Sequence, residues 1–425
     1  MMTSLLWFGC FLALLLIGMP ISVAIGMGAM LALLLSEGTN ALMVPTMLLS
    51  SMDSFVLTAV PLFMLTGAIM QRGKLAERLF DFADSLVGWM RGGMGHANIV
   101  ASMIFGGISG SAVADAAALG PLAIDMMKRT GYRKTTAAAI AVSASTLAAI
   151  IPPSIIMVVY AVAAGVSASK MLIAGLIPGI VCGVAMMAVN FFLARIYKLK
   201  HSSSFSPRRV IQQTYSAGWA IFAPVIIIGG MFTGIFTPTE AGLVAALYSF
   251  LVAWLIYRTI TVRQSVEILI EVGRGAGVAL LILATASLGA HILAVENIPQ
   301  VAADFAISVS GNVHLVWIVL VVFFLIVGMF MEGLAAVIIL TPTFLPFITK
   351  LQIDPIHFGV VFVVALCIGF ITPPVGVCLF VIARVANITI EELTLHALPF
   401  IAIMVVVLFA LIYFPALSLY LTQFM

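Results

Sequence analysis

Charged residues are scarce in this chain, since only 8% of its 425 residues are Asp, Glu, Lys or Arg while 63% are hydrophobic. A soluble domain carries about 25% charged residues, so the composition excludes an ordinary soluble protein and predicts a polytopic membrane protein. The four cysteines form no C-x-x-C pair and the six histidines no H-x-x-x-H pair. This excludes a disulfide scaffold and gives no indication of a zinc site.

Nucleotide-binding motifs are also missing. Neither G-x-G-x-x-G nor a complete phosphate-binding loop occurs in the sequence. If the protein transports a solute, it is therefore expected to use an ion gradient and not ATP. No Lys or Arg precedes the first apolar run, so this run does not resemble a secretory signal peptide and is expected to be retained. A break at Gly18 to Pro20 would divide it into two helices, as Pro238 would divide a later apolar run.

Four landmarks recur at one displacement of 221 residues with no insertion between them. They are Gly107 with Gly328, Pro121 with Pro342, Pro152-Pro153 with Pro373-Pro374, and Pro178 with Pro399. This pattern predicts an internal duplication, with the first repeat in residues 1–210 and the second in 211–425. Duplicated apolar halves that are interrupted by Gly and Pro at matching positions are typical of the binding site of a transporter.

The cations predict the topology, because positively charged loops stay in the cytoplasm. If the clusters and Arg384 are cytoplasmic, 17 of the 19 Lys and Arg lie inside, and only Lys170 and Lys350 lie outside. The clusters are Arg72, Lys74, Arg78 and Arg91; Lys128, Arg129, Arg133 and Lys134; Arg195, Lys198, Lys200, Arg208 and Arg209; and Arg258, Arg263 and Arg274.

Residues 94–127 have cations at both ends, and two full crossings with a turn need about 40 residues. A re-entrant hairpin that turns near Ser109 to Ser111 is therefore expected, and a second one at about 314–349 should enter from the outside. The two repeats would then be inverted. We expect the hairpins and the broken helices 135–164 and 358–382 to form the transport unit, and the other helices to form its scaffold. A separate amphipathic stretch is expected at Ser265 to Glu271, before a crossing helix from Gly275 to Val295.

Hydroxyls and freed backbone groups collect at the predicted breaks. Interrupted helices leave carbonyls that can bind Na⁺ and amides that can bind an anion, and each proline frees a further carbonyl. Acidic residues at membrane depth are costly, which favours a function for Asp115 and Glu332. Single Ser and Thr residues can instead bond only to their own helix, and the two acids can instead make only a polar contact at a hairpin base. The predicted Na⁺-binding residues are Ser109, Gly110, Ser111, Ser145, Thr146, Pro152, Glu332, Gly333, Thr341, Thr372, Pro373 and Gly376. The predicted substrate-binding residues are Ser109, Ser111, Asp115, Ser154, Thr372 and Pro374.

Four motifs in this order resemble the large membrane subunit of TRAP transporters, the tripartite ATP-independent periplasmic family. They are SGSAVAD (Ser109 to Asp115), IIPPS (Ile150 to Ser154), GIFTPTEAG (Gly234 to Gly242) and ITPPVG (Ile371 to Gly376). The resemblance covers essentially the whole chain. It implies an all-α, multi-pass protein of the bacterial inner membrane that imports an organic acid with Na⁺ by an elevator movement.

The same resemblance implies two partners, a small membrane subunit of about four helices and a periplasmic substrate-binding protein. It places the hairpin tips and Na⁺ sites on Ser109 to Ser111, Pro152 to Ser154, Met331 to Gly333 and Thr372 to Gly376. The substrate would be a carboxylate such as a C4-dicarboxylate, sialic acid or another sugar acid, and no residue selects among them.

Three other functions fit parts of the sequence. A permease that works without partners could use the same inverted hairpins. An intramembrane serine protease is suggested by G-x-S-G at Gly107 to Gly110, for which His291 would have to supply the base. A purely structural subunit would leave the duplicated breaks unexplained. Transport, without enzymatic activity, is the prediction that uses all of these features.

Overall fold

The computed structural model describes residues 2–35, 42–199, 201–297 and 313–425, and every regular element within these ranges is helical. Seven helical stretches are long and apolar enough to cross a membrane. Because a bilayer accepts only backbone whose amides and carbonyls are paired internally, helices are the expected solution for such an apolar chain. The prediction of an all-α polytopic membrane protein is confirmed. Lys200, one of the counted cations, lies outside the described residues.

Residues up to 199 form eleven α-helices within the described ranges. They are α1 (Met2–Leu16), α2 (Ile21–Leu35), α3 (Met43–Met52), α4 (Ala59–Arg72), α5 (Leu75–Val87), α6 (Gly93–Ser109), α7 (Ala112–Arg129), α8 (Lys134–Ser145), α9 (Ile155–Ala164), α10 (Ala168–Ala174) and α11 (Leu176–Ile196). Single 3-10 turns precede α4 at Phe55–Thr58 and follow α8 at Thr146–Ala149.

The remaining described residues form nine further α-helices. They are α12 (Pro207–Phe232), α13 (Pro238–Leu251), α14 (Val262–Val295), α15 (Val313–Phe330), α16 (Gly333–Lys350), α17 (Pro355–Gly369), α18 (Val377–Ala386), α19 (Ile390–Tyr413) and α20 (Ala416–Leu419). A π-turn at Val252–Ile256 extends α13, and a 3-10 turn at Leu421–Phe424 ends the chain.

The helix bounds follow the 221-residue displacement that the prolines indicate. Helix α7 shifted by this amount coincides with α16 at both ends, and shifted α6 ends with α15 at Phe330. Shifted α9 lies one residue from α18. The duplication therefore extends from single landmarks to whole helices. The grouping of the repeats into a transport unit and a scaffold stays a prediction.

The N-terminal apolar run forms two helices, α1 and α2, with the break where Gly18 to Pro20 predict it. The start of α1 is held by Glu296 at the end of α14, whose carboxylate accepts hydrogen bonds from the Thr3 amide at 2.9 Å and the Ser4 amide at 3.1 Å. A carboxylate at a helix N-terminus pairs its free amides and its positive dipole end. The same contact places the start of α1 and the end of α14 at one end of the molecule.

Helix α14 differs from the prediction, because it is one continuous helix of 34 residues. The stretch from Ser265 to Glu271 is its first part and not a separate amphipathic segment. A capping box between Thr261 and Gln264 begins the helix. Each glycine inside a helix costs only about 1 kcal/mol relative to alanine, so packing against α2, α4 and α16 can keep it helical through Gly273 and Gly275.

Both predicted hairpins are present as pairs of helices joined by very short turns. Gly110 and Ser111 join α6 to α7, and Met331 and Glu332 join α15 to α16. Both predicted helix breaks are present as well, at residues 150–154 between α8 and α9 and at 370–376 between α17 and α18. The Pro152-Pro153 and Pro373-Pro374 peptide bonds are cis.

Candidate functional site

A cavity of about 290 Å³ lies between the two hairpin tips on one side and helices α4 and α14 on the other. The tips contribute Ser109 to Ala114 and Glu332 to Leu334. The opposite wall consists of Met64, Gly67, Ala68 and Gln71 of α4 and Glu271, Val272, Gly275 and Ala279 of α14. Two tips that lie 221 residues apart in the sequence thus form one site.

The first tip leaves backbone amides free to bind a ligand. Gly110 ends α6 with φ +64°, a left-handed conformation that favours glycine. Its carbonyl accepts a hydrogen bond from the Ile155 amide at 3.2 Å, which joins the tip to the start of α9. Ser111 caps α7 by accepting from the Ala114 amide at 3.4 Å. Ala112 and Val113 line the cavity, and their amides have no acceptor among the described residues.

The second tip has the same construction with a stronger cap. Glu332 is the residue that corresponds to Ser111 at the 221-residue displacement, and it occupies the N-cap of α16. Its carboxylate accepts hydrogen bonds from the amides of Leu334 at 3.0 Å and Ala335 at 3.4 Å. The Gly376 amide donates to the Met329 carbonyl at 2.9 Å, which joins this tip to the α17–α18 break. Each hairpin is therefore fixed to the broken helix of its own repeat.

Four helix N-termini meet at the cavity. Ala112 of α7, Ile155 of α9, Gly333 of α16 and Val377 of α18 are the first helical residues of their helices, and all four line it. The N-terminus of a helix carries about half a positive charge and presents amides that lack partners within the helix. Such an arrangement can bind a carboxylate without a cationic side chain.

The broken helices present oxygens to the same region. Among the described residues, no group donates a hydrogen bond to the carbonyls of Pro152, Pro153, Pro373 or Pro374. Ser154 caps α9 and donates its own hydroxyl to the Ala149 carbonyl at 2.6 Å. Pro152 and Pro153 are buried, Pro373 is half-buried and Pro374 is exposed. Unpaired carbonyls inside a membrane protein are suited to a hard cation such as Na⁺.

The predicted hydroxyl ligands divide into two groups. Ser145, Thr146 and Thr372 donate to the carbonyls of Val142, Ser143 and Ile368 in their own helices, at 2.8, 2.7 and 2.7 Å. Their oxygens keep a lone pair for a cation, but the bonds also agree with the ordinary role of such residues in membrane helices. Ser109 and Thr341 are buried, and neither hydroxyl has a partner in the described part of the chain.

Five of the predicted site residues line the cavity, namely Ser109, Gly110, Ser111, Glu332 and Gly333. Asp115 does not, because it is buried in the interior with 1% of its surface exposed. The others outside the lining are Ser145, Thr146, Pro152, Ser154, Thr341, Thr372, Pro373, Pro374 and Gly376. Their roles as ligands stay predictions.

The α4–α14 wall was not predicted from the sequence. Gln71 and Glu271 are its exposed polar residues, whereas the other wall residues of these helices are apolar or glycine. Arg72, beside Gln71, is bonded to Glu271 at 2.7 Å. An exposed pair of this kind contributes at most about 1 kcal/mol to stability. The sequence feature that could have indicated this wall is the position of Gln71 and Glu271 beside two of the predicted cytoplasmic cations, Arg72 and Arg274.

The chain is similar to known proteins over nearly its full length. Residues 8–417 match the family model of the tripartite ATP-independent periplasmic transporter, DctM component. The C4-dicarboxylate TRAP transporter large permease protein DctM of Pseudomonas aeruginosa is 40% identical over 396 residues, 93% of each chain. The sialic acid large permease SiaM of Vibrio cholerae is 37% identical, with 97% of this chain and 96% of that protein covered. The 2,3-diketo-L-gulonate large permease YiaN of Escherichia coli is also 37% identical, with 97% of each chain covered.

Two solved transporter structures share the fold at low sequence identity. The YdaH transporter of Alcanivorax borkumensis has a TM-score of 0.64 at 15% identity, with 97% of this chain and 98% of that one covered. MtrF of Neisseria gonorrhoeae has a TM-score of 0.66 at 14% identity, with 93% and 95% covered. The protease alternative is wrong, because the relatives are permeases and the Ser109 hydroxyl has no histidine partner among the described residues. The resemblance that the four motifs indicate is thus confirmed, and this chain is a transport protein that belongs to the DctM family, the large permease component of TRAP transporters.

Proposed function

We propose that this chain imports an organic acid, binding its carboxylate at the cavity between the hairpin tips. The observation that carries the proposal is the meeting of four helix N-termini there, with the Ala112 and Val113 amides unpaired. The site has anion-binding chemistry although no Lys or Arg lines it. The relatives are named for C4-dicarboxylates, sialic acid and 2,3-diketo-L-gulonate, all of which are acids.

Sodium is the proposed coupling ion. Na⁺ would bind carbonyls at the two breaks together with the hairpin tips that rest on them. Two contacts support this arrangement, from the Ile155 amide to the Gly110 carbonyl and from the Gly376 amide to the Met329 carbonyl. A cation at such a junction would hold each tip in position and so complete the site for the anion. Substrate affinity should then rise with Na⁺ concentration, and Na⁺ affinity should rise equally with substrate.

The cavity opens toward the predicted cytoplasmic side. Its exposed polar residues, Gln71 and Glu271, lie next to Arg72 and Arg274 of the cytoplasmic clusters. On α4 three of the four lining residues lie in the half that ends at Arg72, and on α14 three of the four lie in the half that contains Arg274. We assign the structure to an inward-open state, from which the hairpins and broken helices would move as a unit against α4 and α14 to reach the outside. This is an elevator-type movement.

The remaining parts of the proposal concern partners and location. A small four-helix membrane subunit would brace the scaffold helices, and a periplasmic binding protein would deliver the acid. The complex would lie in the bacterial inner membrane, where a periplasmic protein can reach the outer face of the permease. A permease that works alone is the competing function, and uptake by this chain without either partner would favour it.

Uptake by the reconstituted complex tests the proposal. The double variant Ser109→Ala with Ser111→Ala should assemble normally but lose at least about 90% of Na⁺-driven uptake, because it removes a cap and a buried hydroxyl at the first tip. Ser265→Ala is the control, since the Ser265 hydroxyl donates to the Thr261 carbonyl at 3.0 Å and Ser265 is not among the residues that line the cavity. Undiminished uptake by the double variant would exclude the first tip from the site. Equal uptake by the unaltered complex with and without a Na⁺ gradient would refute Na⁺ coupling.

A further inference from the structure

An ionic chain lies at the open end of the cavity. The guanidinium of Arg72, the last residue of α4, bonds to Glu271 of α14 at 2.7 Å and to Glu267 at 3.4 Å. Glu267 also pairs with Arg263 at 3.3 Å. All of these side chains are between 41% and 90% exposed, so water reaches them and the pairs can exchange.

The negative charge of the cavity lining gives a reason for a cation such as Arg72 at the open end. The charged residues of the lining are Glu271 at the open end and Glu332 at the hairpin tip, and both are acidic. Glu332 is occupied as the cap of α16. An anion that leaves the helix N-termini for the cytoplasm must therefore pass Glu271, whose like charge repels it with a strength that water reduces at this exposed end. Arg72 is the cation bonded to that carboxylate.

We propose that Arg72 determines the passage of the anionic substrate by neutralising Glu271 and presenting its guanidinium to the leaving carboxylate. The inference rests on the proposed function. A guanidinium has five donors in a planar fork, so it can hold Glu271 and accept a second carboxylate at the same time. Its side chain is 41% exposed although Arg72 is not itself a lining residue, so water and a dissolved anion can reach part of the fork.

A simpler role for Arg72 is to hold α4 and α14 together. The two helices already meet without it, because Gly275 of α14 lies against the side chain of Met64. The two roles make different predictions for Glu271. If the pair is only a link between helices, removing either partner breaks it equally. If Arg72 neutralises the mouth, removing the negative charge of Glu271 compensates for the loss of Arg72.

The experiment uses the complete reconstituted complex with a Na⁺ gradient. Succinate, sialic acid and 2,3-diketo-L-gulonate are offered to the unaltered complex, and the anion it transports with the highest rate serves as the probe. Initial rates are then measured for Arg72→Ala, for Glu271→Gln and for the double variant. Arg263→Ala is the control, because it removes a 90% exposed cation from the same ionic chain, and that cation is paired with Glu267 and not with the lining residue Glu271.

We expect Arg72→Ala to lower the maximal uptake rate by about tenfold or more and Glu271→Gln to lower it far less. The uptake rate of the double variant should recover to within about threefold of the unaltered complex. The rate of Arg263→Ala should equal that of the unaltered complex. A loss with Glu271→Gln as large as that with Arg72→Ala, no recovery in the double variant, or full activity of Arg72→Ala would each overturn the inference. If the unaltered complex transports none of the three acids, the proposed function falls and this inference falls with it. Failure of the proposed function and failure of this inference are distinguishable, because the first is seen in the unaltered complex and the second only in the variants.

Discussion

The close contact between the first hairpin tip and the scaffold offers a direct test of the proposed movement. Gly67 of α4 faces Ser109, and a Cβ atom added at Gly67 would lie 2.9 Å from the Ser109 Cα and 3.1 Å from its Cβ. Real Cβ atoms essentially never show the first distance and rarely show the second, and the obstructing atoms are backbone or next to it. The tip or α4 must therefore shift if Gly67 becomes alanine.

The expected cost can be estimated from packing. Adding a methyl group to a filled interior costs about 1 to 3 kcal/mol. If the tip leaves Gly67 when the transport unit moves outward, the cost applies to the inward-open state alone. The ratio of inward-open to outward-open molecules should then fall by roughly 5- to 150-fold in Gly67→Ala.

Cysteine labelling measures this ratio. A single cysteine at Ala114, which lines the cavity, is introduced after the four native cysteines are replaced. In inside-out vesicles its reaction with a membrane-impermeant maleimide should slow in Gly67→Ala, by the full factor given above where inward-open molecules are the minority and by less where they predominate. Gly275→Ala is the matched control, because its added Cβ would meet only the flexible end of Met64, at 2.7 Å. Equal labelling rates in the two variants would refute the reasoning that the tip moves away from α4.

Two further predictions concern the second tip and the amphipathic helix α5. Glu332→Ala should lower the apparent Tm and weaken Na⁺-driven uptake, because loss of an N-cap costs about 0.5 to 2 kcal/mol. Glu332→Ser introduces the capping residue of the first tip and should retain more stability and more uptake. Equal Tm values of the two variants would exclude the capping role. Asp81 in α5 has a pKa raised above 3.8 by burial and by the neighbouring Asp84 carboxylate, so its charge opposes folding above that raised pKa. Asp81→Asn should therefore raise the Tm at neutral pH, and this increase in Tm should disappear as the pH falls below 3.8. An increase in Tm that does not change with pH would contradict an electrostatic origin of the effect.

Local sequence chemistry determined where helices stop. Pro152-Pro153 and Pro373-Pro374 cannot donate the amides that a continuous helix needs, so both breaks were predictable from the chain alone. The same holds for the turn at Ser109 to Ser111, since a segment too short for two crossings was expected to turn back, whereas the turn at Met331 to Gly333 was expected from the family resemblance. The one misjudged element, α14, contains glycines that weaken a helix without breaking it, and its packing kept it continuous.

The amino-acid sequence by itself determined the membrane class, the duplication, both hairpins and the family. These follow from composition and spacing, which act along the chain. Only the tertiary structure decided which groups meet: the four helix N-termini at one cavity, Asp115 turned inward away from it, and Gln71, Arg72 and Glu271 at its open end. The physical reason is that the direction of a side chain and the approach of distant helices depend on packing between segments far apart in the sequence, which local propensity does not specify.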